Sequence, residues 1–141
     1  MTTRVPRVAS LGRRLGAMLY DALIVFALWL VTLFVLVATF NHAVMGPIVQ
    51  SLFFVELFVF FAYFWTRRGQ TVGMLAWGLH VETADGGAVR PGHALLRFIG
   101  AIASFALLGT GHLWMLIDPH RRTWPDILSG TQLIYLARKP A

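Results

Sequence analysis

The chain has 141 residues, of which 57% are hydrophobic and only 13% charged, with eleven Phe, five Trp and a mean hydropathy of +0.69. Soluble domains carry about 25% charged residues, so the composition excludes a water-soluble globule and indicates one membrane-embedded domain. The formal charge of +6 comes from basic residues that flank apolar segments, which argues against nucleic acid and for a bilayer with anionic headgroups as partner; cysteine is absent, which excludes disulfides and thiolate metal sites.

Residues 1–10 hold Arg4, Pro6 and Arg7 without apolar periodicity and read as an N-terminal tail, with Ser10 a candidate cap. A first span is expected over 11–40, long enough to cross a core of about 30 Å with tilt. Its basic start resembles a signal peptide, but the apolar run Leu15–Phe40 exceeds an h-region of roughly 7–15 residues, so the segment is expected to be retained. The only ionised side chain in that run is Asp21, with Arg13-Arg14 at its mouth. Arg14 and Asp21 lie two turns apart on one face, about 10 Å along the axis. A carboxylate facing acyl chains is costly, so this face is expected to turn inward and to be either a structural ion pair or an ion-handling one.

The turn after Phe40 contains no Lys or Arg, and a second span, 47–66, follows. It is rich in Phe and closes with Tyr63 and Trp65, aromatics suited to the membrane interface. Its single carboxylate, Glu56, falls about 16 Å from Arg67-Arg68 along the helix, near the midplane. Asp21 and Glu56, at neighbouring depths on antiparallel helices, are candidates to meet.

Residues 69–90 read as a cytoplasmic turn and β-hairpin. Thr71 caps a helical turn ending near Gly78, Leu79–Thr83 alternates, Asp85-Gly86-Gly87 signals a turn, and Ala88–Arg90 returns. The stretch 131–136 is a further strand candidate able to extend the hairpin.

Residues 91–118 decide the topology. A continuous span would carry Arg121, Arg122, Arg138 and Lys139 to the opposite side, whereas the positive-inside rule favours an even number of crossings. The break Leu108-Gly109-Thr110-Gly111-His112 can turn the chain back, so a re-entrant or interfacial helical hairpin, His93–Leu107 and Leu113–Asp118, is expected, with a third span as the alternative. In its first arm His93, Arg97, Gly100 and Ser104 form one polar stripe opposite Leu95, Phe98, Ile99, Ile102 and Phe105. Arg97 is thereby a candidate counter-ion for Asp21 or Glu56.

The last segment, 123–141, reads as a short helix and a C-terminal strand. Thr123 as cap, Pro125 in the first turn, Asp126 at the third position and Gly130 past the end supply start and stop signals. Asp126 is read first as a cap, and Asp118 as a partner for Arg97 or Arg14. The fold class is thus an all-α integral membrane protein: two transmembrane helices, a re-entrant or interfacial hairpin (or third span) and a small cytoplasmic β-hairpin.

In this order the pieces resemble the RDD family of small bacterial membrane proteins, named for one arginine and two aspartates. They are Arg14-Leu15 with Asp21, Gly69-Gln70-Thr71 with Gly73, Ala84-Asp85-Gly86-Gly87, Ala94-Leu95-Leu96-Arg97, and Asp118 with Arg121-Arg122-Thr123 and the run from Asp126 to Thr131. Together they span roughly residues 9 to 136. The chain departs at Val72-Gly73-Met74, where the family usually continues Pro-Gly-Lys, and at Pro125, where His is frequent. The resemblance implies a multi-pass bacterial inner-membrane protein involved in transport, some members being described as cation/proton antiporters. The positive-inside bias puts the N- and C-termini in the cytoplasm.

The candidate ion-handling or ion-pair residues are therefore Arg14, Asp21, Glu56, Arg97, Asp118 and Asp126. Asp21 and Glu56 would exchange a proton against a monovalent cation, and a homo-oligomer is expected because so few segments enclose little volume. The alternative is a non-transporting scaffold or accessory subunit whose charges serve assembly only. The five histidines lack the spacing of a zinc helix, GQTVGM lacks the lysine of a P-loop, and no Ser, His and Asp set suggests a hydrolase. No cofactor, metal or enzymatic activity is expected.

Overall fold

The computed structural model describes residues 7–136. The expectations for the rest of the tail, for Arg138 and Lys139, and for the end of the C-terminal segment lie outside the described residues.

Two long helices dominate. Helix α1, Leu11–Phe40, starts where the Ser10 hydroxyl accepts the Arg13 amide, and it stops at Asn41, whose left-handed backbone (φ 60°) closes the last turn onto the Val37 carbonyl. Helix α2, Pro47–Arg67, begins on a proline, whose missing N–H costs nothing in a first turn. Both are long and apolar enough to cross a membrane. Their outer faces are bare hydrocarbon, with Phe34 75% and Ile48 85% exposed, as lipid-facing side chains would be.

After α2 the chain makes a short helix, α3 (Val72–Trp77), capped by the Thr71 hydroxyl on the Met74 amide and ended by Gly78 in the left-handed region. Strand β2 (Leu79–Thr83) follows. The small β element expected here is present, its turn closed by Gly86 N–H to the Thr83 carbonyl (2.8 Å) and Thr83 N–H to the Gly87 carbonyl (2.9 Å). Its full ladder, however, runs to β3 (Thr131–Tyr135), antiparallel from Leu79↔Tyr135 to Thr83↔Thr131. Strand β1 (Arg7–Val8) pairs with the other edge of β3, Arg7↔Tyr135, so the sheet order is β1-β3-β2. Ala88–Arg90 forms no strand and leads directly into the next helix. The molecule is mostly helical, with a three-stranded sheet that joins the two described ends of the chain to its middle.

Helix α4 (Pro91–Ala106) is followed by α5 (Thr110–Leu113) and a 3-10 turn (Trp114–Leu116), bent from it by 106°. The bend is made by two left-handed residues, Leu108 (φ 59°) and Gly109 (φ 80°). Arg97, Gly100 and Ser104 are buried, while Leu95, Ile99, Ile102 and Phe105 are exposed, as the polar stripe requires. Phe98 departs from expectation. It is buried, edge-on to Phe54 and Phe58 at 5.5 and 5.2 Å, because the face that α4 turns inward is wider than the polar stripe alone.

Helix α6 (Trp124–Ser129) closes the structure with the expected capping box of Thr123 and Asp126 and with Gly130 at its end. It lies nearly backbone to backbone on α4, since a Cβ on Gly100 would come within 2.8 Å of the Pro125 Cα. The core gathers between the sheet and the near ends of the helices, around Leu79, Val81, Leu133, Met74, Ala17 and Trp65.

Candidate functional site

Where α6 meets α1 and α4, three charged side chains are sealed from solvent. Asp126 Oδ2 accepts Nη1 of Arg14 at 3.0 Å, and Oδ1 accepts Nη1 of Arg97 at 2.7 Å. The same Arg97 nitrogen donates to the Thr131 hydroxyl (2.6 Å), and Nε of Arg14 donates to the Ala9 carbonyl (3.3 Å). Asp126 also accepts the Thr123 amide at 3.1 Å as the helix cap, so one carboxylate holds α6, α1 and α4 together. Burial works against its charge, but the Arg97 and Arg14 guanidiniums outweigh this and hold the carboxyl below the usual carboxylate range. Two cations against one anion leave this cluster with a net positive charge.

Asp21 is as buried as Asp126 but belongs to a different junction. Its Oδ2 accepts the Thr71 hydroxyl and its Oδ1 the Gly73 amide (2.9 Å), so it clamps the start of α3 onto α1. Gly73 is required there, because any Cβ would collide with the Ala17 carbonyl. The inward turn of the Arg14–Asp21 face is therefore observed, with Arg14, Ala17, Asp21 and Val25 all buried. The direct pair is not, because each residue takes a partner from another element.

Three sequence expectations are corrected. Arg97 is the counter-ion of Asp126, not of Asp21 or Glu56. Asp118 bonds Arg122 (Nε to Oδ2, 3.2 Å) and not Arg97 or Arg14, which both take Asp126; the Arg122 hydrogen bonds hold its carboxyl below the usual range. Asp21 and Glu56 do not meet: Glu56 Oε1 accepts the Thr32 hydroxyl at 2.6 Å, and Thr32 lies three turns of α1, about 16 Å, deeper than Asp21. Its Oε2 is buried with no hydrogen-bond partner among the described residues.

Sequence reasoning missed several members of the site. Trp65, expected at the interface, is buried with the Arg97 guanidinium 5.2 Å from its ring. Thr71 and Thr131 carry a cap signal and a strand signal, which hide their second roles as carboxylate and guanidinium partners. Ser104 and His112 meet across the bend at 2.6 Å, and the serine also accepts the His112 amide, which ties α5 back to α4.

A model of the RDD family matches residues 8–130. The chain belongs to the RDD family. Neither the curated proteins nor the solved structures contain a match to it. In this RDD protein the matched region takes in the buried Arg14–Asp126–Arg97 cluster, the Asp21 clamp and Glu56. Among the described residues no group of three or more His, Asp or Glu is arranged to hold a metal ion.

Proposed function

We propose that this RDD protein is transport-related, exchanging a proton against a monovalent cation across a bacterial inner membrane, and that Glu56 is the group that carries the proton. The observation that carries this reading is the state of three carboxylates, Asp21 and Asp126 buried and Glu56 half-buried. Both oxygens of Asp21 and of Asp126 are engaged by donors that fasten α3 and α6 to α1 and α4, so neither can gain a proton without loosening the fold. Glu56 alone has a buried, unpartnered oxygen among the described residues, and its other oxygen is held only by a neutral hydroxyl. An ionisable side chain at this depth in a span is a functional candidate by default.

The topology of the proposal has both chain ends in the cytoplasm. What supports it is the sheet: segments 7–8 and 79–83 both hydrogen-bond to 131–135, and strands joined in one sheet share one side of a bilayer, which gives each interval between them an even number of crossings. Helices α1 and α2 are then the two crossings, and α4 with α5 enters and leaves on one side. Arg67, Arg68, Arg90, Arg121 and Arg122 all fall on that side. Assembly into a homo-oligomer completes the proposal, because two spans alone leave Glu56 without a surrounding path.

A second reading is favoured by the same engaged charges: a scaffold or accessory subunit in which they serve assembly only. Purified protein in proteoliposomes, with an internal pH dye and an imposed monovalent cation gradient, separates the two. Exchange predicts cation-driven proton movement that Glu56→Gln abolishes while the protein stays monodisperse. Flux that persists in Glu56→Gln, or no flux from the unmodified protein, contradicts it and leaves the scaffold.

A further inference from the structure

The charged cluster forms the polar end of a cavity of about 600 Å³, within the usual range for small-molecule sites. From Arg14 and Arg97 the walls run along α1 as far as Trp29 and along α4 as far as Phe105, whose ring lies 5.0 Å from that of His112, and apart from Asp21 and Thr123 they are apolar between these ends. Arg14 and Trp29 are about 22 Å apart along the helix axis. Exposed apolar side chains of both helices, Leu19, Phe26 and Phe105 among them, also belong to the lining, so the cavity opens sideways to the face that meets lipid. It is long and mostly apolar, with two arginines together at one end.

The charge at that end is incompletely answered. Asp126 satisfies one nitrogen on each arginine, while Nη2 of Arg14 and Nε of Arg97 have no hydrogen-bond partner among the described residues, although both side chains are more than nine-tenths buried. Unpaired guanidinium nitrogens in a low-dielectric site call for an anionic acceptor. The carboxylate in the lining, Asp21, has both oxygens engaged at α3 and is not free to supply it.

From these observations we propose that the cavity seats one anionic phospholipid of the surrounding membrane, its phosphate against Arg14 and Arg97 and one acyl chain laid between α1 and α4. The charge complementarity selects an anionic over a zwitterionic headgroup, and the lateral opening gives a chain its way in. This site is separate from Glu56 and does not depend on proton exchange.

The test purifies the full chain from vesicles of equal phosphatidylglycerol and phosphatidylcholine, then quantifies the lipid retained by native mass spectrometry. The expected result is one phosphatidylglycerol held per protein, enriched about tenfold over phosphatidylcholine, equivalent to about 1.4 kcal/mol of preference. Two variants that fill the cavity and leave both arginines in place, Ala22→Phe on α1 and Ala101→Phe on α4, are expected to lose this lipid while helical content stays unchanged. Equal retention of both lipids by the unmodified protein, which needs no variant to interpret, overturns the proposal. So does retention indifferent to both folded variants, which is annular lipid only, or a free fatty acid found in place of the phospholipid.

Discussion

Asp126 is at once a helix cap and the shared counter-ion of two arginines, and removing its charge leaves both guanidiniums buried without an anion. Breaking a buried ion network from one side costs about 3–5 kcal/mol, so Asp126→Asn should lower the thermal midpoint in detergent far more than Asp118→Asn, whose partner Arg122 is exposed to solvent. The folded-state pKa of Asp126 is depressed, so its contribution is present above the unfolded value of about 3.9 and is lost as pH falls through the lower folded value. Stability from this residue should therefore stay level from neutral pH to about 5 and drop only in stronger acid, and the drop should vanish in Asp126→Asn. Arg14 and Arg97 were legible in the sequence as ionised groups beside or within apolar segments and Asp126 as a helix cap, but their pairing was not. Asp126 has a sufficient local role as a cap, and nothing local says that Arg14, more than a hundred residues earlier, will reach it.

The elements themselves were largely legible because each boundary carries its own chemistry. Ser10 and Pro47 start the spans, Thr71 and Gly78 bracket α3, and Thr123 and Gly130 bracket α6. Thr123→Ala removes the capping oxygen of the helix that also positions Asp126, and a loss of at least about 1 kcal/mol is expected in thermal or denaturant unfolding. At the bend, Gly109→Ala places a Cβ in a left-handed conformation (φ 80°) and should cost about 1–2 kcal/mol by the same measurement. What the sequence concealed at this scale was non-local. Asp85-Gly86-Gly87 announces a turn and so suggests a hairpin with Ala88–Arg90, whereas the strand that pairs in full with β2 is β3, beyond two helices and a bend. The apolar stripe of α4 likewise assigned Phe98 to lipid, because periodicity gives the direction of a face and not the breadth of what packs on it.

At the scale of the whole molecule, the charged cluster and the sheet are two views of one constraint. The sheet brings the described ends and the segment after α2 together, and Asp126, four residues upstream of Gly130 and β3, reaches back to α1 and α4 from that side. The proposed function depends on this arrangement, since it leaves Glu56 apart from the charges engaged at α3 and α6. Because the chain contains no cysteine, single cysteines can report sidedness directly. The decisive measurement is labelling of Val44→Cys, Ala84→Cys and His120→Cys in oriented membrane vesicles with a membrane-impermeant thiol reagent. Ala84→Cys and His120→Cys should react from the same, cytoplasmic side and Val44→Cys from the other; reaction of His120→Cys from the side of Val44→Cys would contradict the two-crossing arrangement.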